Sequence, residues 1–201
     1  MLKIETFQVN PLGENCYVVS DETNECVIID CGAYEPEEFR DITDYISENG
    51  LKPVHLLATH GHLDHNFGND MVLKEYGLKV EVSEKESKLM ETLDLQAKMI
   101  FGPIRTIRVP QASVGKYFTD KDTISFGNHE FTITETPGHS PGSVFFICQG
   151  EKVAFSGDTL FRGSIGRTDL MGGNMFQIIQ SLRMICQMDD DITVYPGHVG
   201  K

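Results

Sequence analysis

Apolar and polar residues alternate with a period of two over residues 3–9 and 16–20, on either side of Asn10-Pro11-Leu12-Gly13. This predicts two strands joined by a turn. Residues 26–30 form a more continuously apolar third strand, so the chain opens as an antiparallel meander. At Pro36 the period changes: Phe39, Ile42, Tyr45 and Ile46 recur at helical spacing behind a proline and glutamates and ahead of Gly50, predicting a helix over 36–49. Residues 54–58 are an apolar run of the kind expected of a strand covered on both faces. A helix is predicted from His65 to Tyr76, stopped by Gly77, then a strand at 79–82 and a helix over 83–98. Residues 99–118, broken by Gly102, Pro103, Pro110 and Gly115, read as a long loop that covers a site. Strands return at 123–126, 130–136, 144–148 and 153–156, followed by a helix over 175–188 and a last strand at 192–195. Two sheets packed face to face with helices outside is the simplest way to bury these faces.

Length and charge narrow what such a sandwich can serve. At 201 residues, with no linker or repeat, the chain reads as one domain over 1–201. A net charge of −13 repels a phosphate backbone, which excludes nucleic acid as a partner. The N-terminus lacks the apolar core of a signal peptide and no run is long enough for a membrane span, so the expectation is a cytoplasmic protein without a membrane partner. Five cysteines, an odd number with no Cys-x-x-Cys pair, argue against a disulfide framework; all five read as small buried hydrophobes.

The chemistry is concentrated behind the strand at 54–58. Thr59-His60-Gly61-His62-Leu63-Asp64-His65 packs three imidazoles and a carboxylate into six positions. Without a cation, such groups repel one another when charged and lose solvation when buried. Imidazole with carboxylate suits zinc, iron or manganese, whereas calcium and magnesium prefer oxygen shells. Three more candidate ligands lie at predicted strand ends, each preceded by glycine: His139 in Pro137-Gly138-His139, Asp158 in Gly157-Asp158 and His198 in Pro196-Gly197-His198. Each alone is an ordinary turn residue; together they place five of the seven histidines at strand ends. His55 and His129 are assigned to packing and solvent.

His60-x-His62-x-Asp64-His65, followed by His139, Asp158 and His198, resembles the metallo-β-lactamase superfamily over nearly the whole chain. Within it, Ser156-Gly157-Asp158-Thr159-Leu160-Phe161 and Gly166-Arg167-Thr168-Asp169 are similar to the short glyoxalase II-like branch, the relatives of hydroxyacylglutathione hydrolases. The resemblance implies a four-layer αβ/βα sandwich of two mixed sheets with helices outside. It also implies one metal held by His60, His62 and His139, a second by Asp64, His65 and His198, and Asp158 bridging them. Zinc is the leading metal, with iron or manganese as alternatives.

Two divalent ions roughly 3.5 Å apart lower the pKa of a shared water, so a bridging hydroxide serves as nucleophile for a thioester or ester. Asp64 and Asp158 are then the catalytic carboxylates. Glutathione-specific members carry a C-terminal helical domain, and the expectation from the resemblance is that this chain, read to Lys201, works without one. Specificity for a small acyl-thiol or ester therefore falls to loops, with Arg105, Arg108, Arg162 and Arg167 as candidate grips for a substrate carboxylate. Two alternatives stand beside the hydrolase: a mononuclear iron persulfide dioxygenase, and a metal-binding protein without catalysis.

Overall fold

Aromatic and β-branched side chains from two facing sheets make the central layer of the molecule. The computed structural model describes residues 1–103 and 107–198. The first sheet runs in the order β1 (Lys3–Val9), β2 (Glu14–Ser20), β3 (Glu25–Ile29), β4 (Lys52–Leu57), β5 (Val80–Ser83) and β6 (Lys116–Phe118). Its first three strands are antiparallel and β3 to β6 are parallel. The second sheet contains β7 (Thr123–Phe126), β8 (His129–Glu135), β9 (Val144–Cys148) and β10 (Val153–Gly157) as an antiparallel meander. A short hairpin, β11 (Leu160–Phe161) with β12 (Ser164–Ile165), follows it, and β13 (Thr193–Pro196) closes the sheet parallel to β10. Both sheets are mixed, as the resemblance implied.

The period-two pattern sorts the side chains into layers. In β2, Tyr17 and Val19 face the second sheet and meet Phe131, Phe146 and Phe155, while Cys16 and Val18 face outward. That outward face is covered by α1 (Pro36–Glu48) through Ile42 and Ile46, and by α2 (Asn69–Tyr76) through Val72. On the far side, Phe145, Ile147 and Ala154 pack beneath α5 (Met175–Ile185) through Ile185. Helix, sheet, sheet and helix thus stack in four layers. Removing one central ring, such as Phe131→Ala, costs about 3–5 kcal/mol. Glu38 fixes the start of α1 by accepting from the backbone of Asn10, Tyr34 and Glu35 at 2.8, 2.7 and 3.0 Å.

Four expectations need correction. The helix predicted over 83–98 is interrupted: a 3-10 turn at Glu84–Glu86 leads to α3 (Ser87–Met90) and then α4 (Leu93–Phe101). The Ser83 hydroxyl caps the 3-10 turn, and Thr92 Oγ1 bonds back to the carbonyls of Lys88 and Leu89, which ends α3. The loop predicted over 99–118 begins inside α4 and ends as β6, a strand too short for periodicity to show. The described part between them is tied down by Asp70, which accepts from the backbone of Gln111 and Ala112 at 2.9 and 2.6 Å. Cys186 is exposed, unlike the four buried cysteines. Finally, His129 is no solvent residue: its Nδ1 lies 3.0 Å from Asp21 and its Nε2 3.0 Å from Glu151.

His129 therefore makes stability depend on pH. Burial works to lower its pKa, but the bonds to Asp21 and Glu151 outweigh burial and raise it. A group raised in the folded state contributes fully below its unfolded value, about 6.5, and loses that contribution as pH rises through the folded value. His129→Ala is expected to lower the melting temperature by several degrees at pH 6 and by much less at pH 9. Thermal scans by circular dichroism at the two pH values check this; an equal deficit at both would remove the charged imidazole from the account.

Candidate metal centre

Four connections, all at the C-terminal ends of strands, converge on one edge of the sandwich. The stretch after β4 carries His60, His62, Asp64 and His65, the last two in a 3-10 turn at Leu63–His65. The connections after β8, β10 and β13 bring His139, Asp158 and His198. Backbone geometry explains two of the glycines beside them. Gly157 has φ +47°, and a Cβ there would lie 2.2 Å from Thr59 Oγ1. At Gly197 a Cβ would lie 2.4 Å from Asp158 Oδ1 and 2.7 Å from His65. The His198 connection is pinned from β2: Asn15 and Tyr17 both donate to the Pro196 carbonyl, at 3.0 and 2.6 Å, and the Gly197 amide donates to Gly157 at 2.8 Å.

All seven side chains named from the sequence meet here. His60, His62 and His139 form one trio and Asp64, His65 and His198 another, each with one ligand atom per residue within 4.8 Å of the rest. His62 Nδ1 and His139 Nε2 stand 2.8 Å apart. Two nitrogens sharing a tetrahedral ion at ~2.05 Å would be about 3.3 Å apart, so a small opening admits a cation between them. Asp158 lies between the trios. Its Oδ2 is 3.5 Å from His139 Nε2 and 3.5 Å from His198 Nε2, and its Oδ1 is 3.3 Å from His65 Nε2. Asp64 Oδ2 is 3.3 Å from His198 Nε2.

Bonds on the outer nitrogens orient the rings. His60 Nδ1 faces Thr59 Oγ1 at 3.1 Å; that hydroxyl itself donates to Asp30, so the imidazole donates to it. His65 Nδ1 donates to Asp30 Oδ2 at 3.0 Å, and His139 Nδ1 to the Arg167 carbonyl at 2.8 Å. Each Nε2 is thereby left with its lone pair facing the others. His60 Nε2, His65 Nε2 and Asp158 Oδ1 are buried with no hydrogen-bond partner. Clustered orphan acceptors of this kind fit a cation and little else.

The electrostatics agree. Burial, reinforced by the neighbouring imidazoles, holds His60 well below the usual histidine range and His62 at about 4, which keeps both neutral as ligands must be. Burial pushes the Asp64 and Asp158 carboxyls up, but His65 and its neighbours outweigh it and keep both low. The same carboxylates raise His65 against its own burial. A buried demand for positive charge is concentrated at this point, and a divalent ion meets it without protonating a ligand.

Sequence reasoning missed the groups behind the ligands. Asp30, at φ +53°, accepts from the Thr59 amide and hydroxyl, both at 2.7 Å, as well as from His65. Glu86 is fully buried and accepts from the Gly61 amide at 2.6 Å and from the Gly142 amide, so one carboxylate ties the His60–His62 turn to the His139 loop. Gln96 accepts from the Leu63 amide at 2.9 Å and donates to the Gly61 carbonyl at 3.1 Å. Asn10 donates to the carbonyls of Gly32 and Asp64 at 3.0 and 2.9 Å. Glu86 and Gln96 sit in a stretch read as one helix, where nothing in the local spacing marks them as pointing inward.

The candidate arginines are not gathered in the same way. Arg105 lies outside the described residues. Arg108 donates to the carbonyl of Tyr34 and lies over its ring, 5.3 Å from the centroid, away from the ligands. Arg162 is exposed and does not line the cavity. Arg167 does line it, with its guanidinium held by Asp169 through two bonds of 2.8 Å.

Residues 9–198 match the family model of the metallo-beta-lactamase superfamily. The chain belongs to that superfamily. It is 35% identical to the hydroxyacylglutathione hydrolase GloC of Haemophilus influenzae, covering 98% of this chain and 91% of that protein. Among solved structures it is similar to the BLEG-1 B3 metallo-beta-lactamase, with a TM-score of 0.87, 32% identity and coverage of 100% and 92%. It is also similar to TTHA1623 in a di-iron-bound form, with a TM-score of 0.84, 31% identity and coverage of 98% and 92%. Superfamily membership and the candidate ligand groups make this a metal-dependent protein related to hydrolases. No helix among the described residues is long and apolar enough to cross a membrane.

Glu86 supplies a test of the supporting shell. Glu86→Ala leaves the amides of Gly61 and Gly142 without their acceptor, and metal affinity is expected to fall about 10–100-fold. Glu86→Gln keeps an acceptor oxygen for one amide and is expected to fall in between. Competition with a chelator measures both, and equal retention by wild type and Glu86→Ala would show that the two loops hold without this tie.

Proposed function

We propose that the protein is a dinuclear metal-dependent hydrolase of a small thioester or ester, formed as one domain and working in the cytoplasm. One ion would be held by His60, His62 and His139 and the other by Asp64, His65 and His198, with Asp158 within reach of both. The observation that carries the reading is the position of Asp158, with its oxygens 3.3–3.5 Å from imidazoles of both trios. The likeness to a hydroxyacylglutathione hydrolase supports thioester chemistry. Zinc is the metal that imidazole and carboxylate donors suit best, while the di-iron form of a structural relative keeps iron as the alternative.

Divalent ions at such a site bring a water of lowered pKa and a Lewis acid for the substrate carbonyl. The remaining work belongs to the chain. Asp158 spaces the two trios and offsets part of the positive charge they collect. Asp64, kept ionised by the histidines around it, accepts a hydrogen bond from the attacking water and aligns it. Thr59 and Asp30 keep His60 and His65 in the tautomers that leave Nε2 unprotonated. Among the described residues lining the cavity there is no cysteine to compete as nucleophile.

Asp158→Ala tests the shared carboxylate. The variant is expected to keep its fold by circular dichroism, to hold fewer than two ions by elemental analysis, and to lose several orders of magnitude in thioester turnover. Two retained ions with near-normal turnover in the same preparation would sink the dinuclear mechanism.

A further inference from the structure

The cavity over the candidate ligands is about 430 Å³, inside the roughly 300–1,000 Å³ range of small-molecule sites. Asp64 and Asp158 lie in its polar floor with His62, His139 and His198, and apolar side chains from separate segments of the chain build its wall. Leu12 comes from the turn between β1 and β2, Met99 and Ile100 from the end of α4, and Phe161 and Ile165 from the β11–β12 hairpin. Leu12, Met99, Ile100 and Ile165 are 40%, 59%, 39% and 38% exposed, although they are large and apolar. Scattered singly they would need no account; converging from distant parts of the chain on one opening, they mark a surface that a ligand covers. The cationic side is thin. Among the described lining residues Arg167 is the one arginine or lysine, and Asp169 occupies its guanidinium. With a net charge of −13, the molecule also opposes the approach of a polyanion.

We infer that the substrate presents a neutral, apolar acyl chain to this wall, rather than an anionic carrier such as a glutathione or coenzyme A thioester. The inference rests on the hydrolase reading for the chemistry at the floor but not for the wall. A straight acyl chain can slide along Met99, Ile100 and Ile165 with its carbonyl over Asp64 and Asp158. An anionic carrier would set its carboxylates or phosphates against apolar side chains with no unpaired described cation to meet them.

The test separates the two readings by measuring binding apart from turnover. Butanoate, hexanoate and octanoate are titrated calorimetrically into the zinc-loaded protein, and affinity is expected to climb about three- to fourfold per methylene. Ile165→Asp and Met99→Asp, both at exposed positions, are expected to flatten that climb by at least half. In parallel, kcat/KM is measured for N-acetylcysteamine thioesters of the same acids and for lactoylglutathione. A higher value for the octanoyl thioester supports the inference. Affinity independent of chain length, or a clear preference for the glutathione thioester, overturns it. Climbing affinities with no turnover of any thioester support the apolar wall and count against the hydrolase instead.

Discussion

Gathering seven ionisable side chains at one point, six of them buried and His198 half-buried, is the constraint around which this molecule is arranged. Each trio alone, with no positive charge supplied, would expose the fold to repulsion between imidazoles or to desolvated carboxylates. The chain meets the difficulty in two ways. It staggers the groups on four strand-end connections from two sheets, so that no single loop carries all of them. It also gives the outer nitrogens of His60, His65 and His139 an acceptor, at Thr59, Asp30 and the Arg167 carbonyl, which leaves their inner lone pairs directed at a common space. What remains unmet is positive charge at the centre, and that is the property of a cation site.

The cost of this arrangement is visible one layer further out. Asp30 accepts a left-handed backbone conformation, unfavourable by about 1–2 kcal/mol for a residue with a Cβ, to place its carboxylate beneath both Thr59 and His65. Glu86 is carried into the interior as a carboxylate, its pKa raised by burial, because the backbones of Gly61 and Gly142 both need an acceptor. Glu14 is fully buried beside His65 and raised well above the carboxylate range by burial. These groups cost stability on their own account and are held in place by the aromatic layer between the sheets. The hydrophobic core and the ligand cluster are therefore coupled: Tyr17 packs against Phe155 with its ring and holds the Pro196 carbonyl, two residues before His198, with its hydroxyl.

This division explains what could be read from the sequence. Strands such as 144–148 were legible because a continuous apolar run, Val144-Phe145-Phe146-Ile147-Cys148, records burial on both faces. The candidate ligands were legible because histidine and aspartate at glycine-flanked strand ends serve packing poorly. The supporting groups were not, because nothing local distinguishes Glu86 from the solvated Glu84 two residues earlier; only the approach of Gly61 and Gly142 from distant segments makes it an acceptor. The helix around it was misread because Ser83 and Thr92, read as ordinary helical positions, bond to nearby backbone and break it. His129 beside Asn128 had the signature of a surface turn, and its two carboxylate partners lie 108 and 22 residues away.

The same reasoning bears on how one superfamily serves different substrates. The floor of the cavity is built from strand-end residues that the sheets hold in register, so its geometry follows from the fold. The wall is built from a turn, the last turn of α4 and a two-residue-stranded hairpin, elements whose side chains are largely exposed and carry little of the core. Substitutions there change what the cavity accepts at small cost to stability, whereas substitutions beneath the floor disturb ligands and core together. Chemistry and specificity thus sit on parts of the chain with different stability costs, and the apolar character of the exposed wall belongs to the part free to vary.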